Sequence, residues 1–176
     1  MLAIKLIVEG LGLGFLLYLI CAMGVRNGAI GMVHLYDRKV QERVVELGLT
    51  TAEQIRKRSI WFRSLCLSGY LIYVLLCALG FVGVIVYGGW DGVRKGFTFG
   101  QFLVRFLVIL LGMKAFDIIV LDYILITKTQ FFQHYIPETK GCAGYHSFGY
   151  NRKEQFWRIV TLPFAALLAA WICTLF

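Results

Sequence analysis

FGQFLVRFLVILLGMKAFDIIVLDYILI, residues 99–126, is apolar enough to cross a bilayer, yet it carries Arg105, Lys114, Asp117 and Asp122. About 20 apolar residues span the ~30 Å hydrocarbon core. An ionised side chain near the centre of that core costs at least ~2.5–3.5 kcal/mol. Four of them have to face protein, water or each other, so the segment is the first place to look for function. At about 100° per residue, Lys114 and Asp117 lie roughly 60° apart and one turn apart, on one face. Asp122 falls about 80° to the other side of Lys114, and Arg105 about 180° away. Arg105 therefore needs a different partner, and Glu9 is the candidate.

The rest of the chain fits the same setting. Of 176 residues, 59% are hydrophobic and 16% charged, and the mean hydropathy is +0.73. Soluble domains are nearer 45–50% apolar and ~25% charged. The composition predicts an all-α polytopic membrane protein, one integral membrane domain over 1–176, with no room for a separate soluble enzyme domain. The net charge of +8 is not a nucleic-acid footprint. The basic residues sit in loops beside apolar runs, where anionic lipid headgroups attract them.

Four spans are expected, at about 2–24, 64–90, 99–126 and 157–176. They form a four-transmembrane-helix bundle. Loop one (26–63) holds eight Lys/Arg and loop three (127–158) holds five, whereas the short loop between spans two and three holds Arg94 and Lys95. The positive-inside rule puts both long loops in the cytoplasm and both termini outside. The first span reads as uncleaved, because no small-residue cleavage site follows it. Gly10 and Gly14 form a GxxxG pair that admits a close neighbour, and Ala165/Ala169 and Ala166/Ala170 offer the same spacing in span four. Pro163 is positioned to kink span four.

Loop one reads as a cytoplasmic helical hairpin, in part lying on the membrane. Leu35, Val40, Val44, Val45 and Leu47 recur at helical spacing, Gly48 ends that helix, and Thr50 with Glu53 forms a capping box for the next. Lys57, Arg58, Trp61, Phe62 and Arg63 make an interfacial anchor. His34 and Asp37 share a face at the membrane edge.

Loop three, TKTQFFQHYIPETKGCAGYHSFGYNRKEQFWR, is dense in aromatic residues. Ile136-Pro137, Gly141, Gly144 and Gly149 mark turns. The loop is expected to fold over the cytoplasmic mouth of the bundle near Asp122. His134, Glu138, Cys142 and His146 are four potential metal ligands, but their spacing matches no zinc pattern, and no metal is expected. The five cysteines form no CxxC pair and read as small core hydrophobes. The HLYDRKVQERVVELGL and IPETKGC stretches resemble bacterial membrane proteins of unknown role, which suggests a bacterial inner membrane and assigns no residue.

There is no Walker loop, no G-x-G-x-x-G, no H-E-x-x-H and no G-x-S-x-G. Three functions stay open. The first is a polar binding or catalytic site at the cytoplasmic mouth, acting on a lipid or lipid-soluble substrate, built from Asp122, Asp117, His134, His146 and Glu138. The second is an oligomeric proton- or ion-linked transporter or channel using Lys114, Asp117 and Asp122. The third is an accessory subunit of a membrane complex. The expected partners are membrane lipids and a second copy or larger membrane assembly, not nucleic acid; no cofactor is indicated. Within the charged span Asp122 is expected to have no local partner, which leaves it available for chemistry.

Overall fold

The structure is a computed structural model describing residues 2–26, 33, 36–57, 70–129, 131–134 and 136–176. All regular structure among these residues is helical. In chain order it comprises α1 (Leu2–Arg26), α2 (Arg38–Glu46), α3 (Ala52–Lys57), α4 (Tyr70–Arg94), α5 (Phe99–Phe116), a π-helix (Asp117–Lys128), three 3₁₀ turns (Phe131–His134, Pro137–Thr139, Ala143–His146) and α6 (Arg152–Cys173). Three helices are long and apolar enough to cross a membrane: Ala3–Ala22 within α1, Val74–Arg94 within α4, and α6. The segment between α4 and loop three changes from α to π geometry at Asp117. His34 and most of the 57–63 anchor lie outside the described residues.

Two helix limits differ most from the sequence expectation. α4 continues past Trp90 to Arg94, taking in Asp91 and its i,i+4 partner Lys95 at 3.0 Å just beyond the helix end. α6 begins at Arg152 rather than 157. Arg, Lys, Glu and Gln at 152–155 are all good helix formers, so nothing in that stretch delays the start. Pro163 is accommodated inside the helix.

The described chain divides into two compact units. The first comprises Met1–Leu17, Cys77–Asp117 and Arg152–Phe176. Its interior is assembled around α5. Phe102, Phe106 and Leu110 pack on Ala166 and Ala170 of α6, and Ile109 packs with Leu6 and Leu13 of α1. Small residues set the approach distance. A Cβ on Gly10 would lie 3.0 Å from the Ile109 carbonyl oxygen and 3.3 Å from Gly112 Cα, and one on Gly14 would overlap the Phe116 side chain. The GxxxG pair thus lets α1 lie against α5 at backbone contact, the close packing such pairs permit in lipid. Gly92 of α4 makes equivalent room for the Phe102 ring.

The second unit comprises Tyr18–Leu76 and Ile118–Asn151. Val33, Tyr36, Val40 and Val44 from loop one share a core with Ile136 and Tyr145 from loop three. The apolar stripe of α2 therefore packs on protein. Asp37 caps α2 by accepting from the Lys39 backbone N–H at 2.9 Å. Gly48, at φ 70°, takes the left-handed conformation that ends the helix. The next capping box lies one residue later than expected. The Thr51 hydroxyl accepts from Gln54 N at 3.3 Å, and the Gln54 side-chain oxygen accepts from Thr51 N at 3.2 Å. Thr50 Oγ1 instead donates to that same Gln54 oxygen. Gly144 leaves no space for a Cβ between Val40 and Asp37, so loop three sits directly on the first turn of α2.

Candidate functional site

The four charges of the quoted segment fall into three polar centres. The first surrounds Arg105, whose side chain is 1% exposed. Its Nη2 donates to Glu9 at 2.8 and 3.2 Å, and its Nη1 to Asp91 Oδ2 at 2.7 Å. Asp91 also takes Lys5 at 2.8 Å and Lys95 at 3.0 Å. The sequence points to Glu9 as the Arg105 partner. It does not mark Asp91, which lies just past the expected end of span two at 90. The i,i+4 spacing of Asp91 and Lys95 was the available signal. The cluster uses five charges to hold α1, α4 and α5 together at one end of the unit. Removing two charges from water is costly, and multiple short charge-assisted hydrogen bonds offset that cost.

A cleft of about 500 Å³ opens beside this cluster, lined by Leu6, Phe97, Thr98, Gly100, Gln101, Val104 and Arg105. Its walls are mostly apolar. Thr98 and Gln101 cap the start of α5, with Gln101 Oε1 accepting from Thr98 N at 2.8 Å.

The second centre is Lys114, 5% exposed. Its ammonium pairs with Asp117 at 2.5 Å, as the three-residue spacing requires, and also donates to the Gln155 side-chain oxygen of α6. Gln155 was missed because it is uncharged and precedes the expected start of span four. A buried ammonium has three donors to satisfy, and a neutral amide oxygen serves as well as a second carboxylate without adding charge.

The third centre is Asp122, in the π-helix of the second unit. It is half-buried. A partner for its carboxylate comes from outside the span. Asn151 Nδ2 donates to Asp122 Oδ2 at 3.3 Å, and the Asp122 backbone carbonyl accepts from Thr127 Oγ1 at 2.9 Å. Asn151 ends loop three, so its approach depends on how that loop folds, which no local spacing reveals. Phe148 of the same loop meets Tyr123 edge-on, centroids 5.4 Å apart. Loop three does fold back to the Asp122 region.

The other candidates are more dispersed. Asp117 belongs to the first unit; His134, Glu138 and His146 belong to the second and are exposed. Among the described residues no three His, Cys, Asp or Glu side chains gather as a metal site would require. Behind the loop surface, Thr139 and Tyr145 are hydrogen-bonded at 2.9 Å in the loop core. Thr139 Oγ1 also lies 2.7 Å from the Ile136 carbonyl. Its one proton goes there, so the Tyr145 phenol is the donor to Thr139. Burial pushes the Tyr36 phenol well above its ordinary value, and burial likewise raises Tyr145.

No protein-family model matches the chain, and no curated protein or solved structure is detectably similar to it.

Proposed function

We propose that this is a four-span membrane protein that binds a lipid or lipid-soluble ligand at a polar site on its cytoplasmic side, centred on Asp122 and Asn151. The observation that carries the site is the hydrogen bond from Asn151 to the Asp122 carboxylate. It brings a loop residue to an acid lying in an otherwise apolar helix, and it gives that acid a polar environment rather than lipid. π-helical geometry is rare and often accompanies functional sites, and Asp122 lies within such a segment. His134, Glu138 and His146 belong to the same unit, with their side chains exposed.

Chain parity supports the four-span arrangement. Loops one and three contribute to one core, through Val40, Val44, Ile136 and Tyr145, so they belong on one side of the bilayer. If α4 crosses, the chain has to cross again before loop three. The only segment available is 99–128. The 18 residues of α5 rise about 27 Å, and the π-helix adds the remainder. The excess of Lys/Arg in the two loops then favours the cytoplasm for both, with both termini outside.

The transporter reading has less support, because Lys114 and Asp117 are engaged with each other and Gln155. Membrane lipids are the expected surroundings: α1 presents Ile4, Val8, Leu11 and Phe15 outward, one helical face of apolar side chains.

Extraction of bound lipids and small molecules from the purified protein, followed by mass spectrometry, tests the site. Asp122→Asn keeps the side-chain shape and removes the charge. The expected result is unchanged thermal stability with at least one copurifying species depleted relative to wild type. A variant with an unaltered set of bound species overturns the reading.

A further inference from the structure

We infer that the cleft beside Arg105 is a second site, which takes the headgroup of a monoanionic phospholipid. The charge balance is the first ground. Among the described residues the carboxylates paired with Lys5, Lys95 and Arg105 are Glu9 and Asp91, three cations against two carboxylates. The cluster therefore carries one net positive charge, and its two lysines reach the surface, with side chains 28% and 50% exposed. A second, independent observation concerns Arg105 itself. It is almost fully buried, it lines the cleft, and its Nε–H has no hydrogen-bond partner among the described residues. A buried donor in that state is costly until an acceptor reaches it.

The cleft selects the class of acceptor. Leu6, Phe97 and Val104 form an apolar wall suited to a glycerol backbone and the first carbons of an acyl chain, while Thr98 and Gln101 add polar atoms near its rim. Val104 is more than half exposed, so the wall is open on the face where lipid would stand. A soluble polyanion would find one net positive charge and an apolar surface, a poor match. A zwitterionic headgroup brings no net charge to neutralise the cluster. A phosphodiester with one negative charge does, and guanidinium groups are well suited to phosphate oxygens.

The test is native mass spectrometry of the full chain from mild detergent, titrated with phosphatidylglycerol, phosphatidylcholine, oleate or inorganic phosphate. The expected result is one preferred phosphatidylglycerol adduct, favoured over phosphatidylcholine by about fivefold, the effect of one cation near an anionic lipid surface. Gly100→Phe fills the cleft, and a Cβ there meets nothing within 4 Å, so this variant should fold and lose the preference. Val104→Trp closes the same space from an outward-facing position and should act alike, which guards against misfolding of either variant. Equal retention of both phospholipids overturns the inference. So does a preference that survives both substitutions, or binding of oleate or inorganic phosphate without phosphatidylglycerol.

Discussion

Arg105 donates to Glu9 at 2.8 Å across 96 residues of sequence, and the two partners are not equally dependent on each other. Arg105 has a second carboxylate in Asp91 at 2.7 Å. Among the described ion pairs, Glu9 has Arg105 alone. Glu9→Gln should therefore be mild, since Asp91 still neutralises the guanidinium. Arg105→Met should be severe, about 3–5 kcal/mol, because it leaves a buried carboxylate uncompensated. The double variant should recover most of that loss. Thermal unfolding of the three variants in one detergent checks the order. If Glu9→Gln alone is as damaging as Arg105→Met, Asp91 does not hold Arg105 as the geometry indicates.

Topology can be tested with three engineered cysteines in a background lacking the native ones. Glu46→Cys and Glu138→Cys report on loops one and three; Arg94→Cys reports on the short loop. All three parent residues are exposed. In intact cells an impermeant maleimide should label Cys at 94 and spare the other two until the membrane is opened. Labelling of 46 and 138 from opposite sides would remove the basis for a second crossing through 99–128.

The loop core should be sensitive to alkaline pH. Burial raises the phenols of Tyr36 and Tyr145 above their ordinary value, so the folded core binds these protons more tightly than the unfolded chain does. Its stability is fully present below the unfolded phenol pKa, about 10, and is lost as pH rises through that value toward the higher folded ones. Protease protection of loop three should fall in that window. Tyr145→Phe should flatten the fall while costing about 1 kcal/mol at neutral pH through the lost hydrogen bond to Thr139. A protection profile that is flat to pH 11 in wild type would contradict the assignment.

Gly144→Ala probes the same packing by size. Its Cβ would lie 2.8 Å from Val40 Cγ2 and 2.9 Å from Asp37 Oδ1. Overpacking of this kind costs about 1–3 kcal/mol. Hydrogen exchange in α2 should accelerate, with the apolar helices unaffected.

Much of this architecture is legible locally. Apolar run length locates α1 and most of α6, helical spacing locates α2, and the three-residue spacing of Lys114 and Asp117 gives their pairing outright. The opposite azimuth of Arg105 correctly sends it to another helix. What local reading misses shares one cause: the partner is contributed by a distant segment, or carries no charge to mark it. Asp91 is passed over because it follows the apolar run rather than interrupting it. Gln155 and Asn151 are neutral amides, whose importance appears only when α6 reaches Lys114 and loop three reaches Asp122. The capping box slips by one residue because both Thr50 and Thr51 can cap, and Gln54, not Glu53, completes the ring.

The Asp122–Asn151 contact can be separated from mere proximity by exchanging the two side chains. Asn151→Asp alone places two carboxylates where an amide now donates at 3.3 Å. Like charges this close repel, so loop three should lose protease protection between Tyr145 and Arg152. Asp122→Asn alone keeps an amide facing an amide, which can still hydrogen-bond, and should leave the loop protected. The exchanged pair, Asp122→Asn with Asn151→Asp, restores one carboxylate and one amide in reversed positions. Protection should then return to nearly the wild-type level, while any ligand that depends on a charge at position 122 stays lost. Failure of the exchange to rescue protection would mean that loop three is held near Asp122 by other contacts, and the hydrogen bond would lose its claim to organise the site.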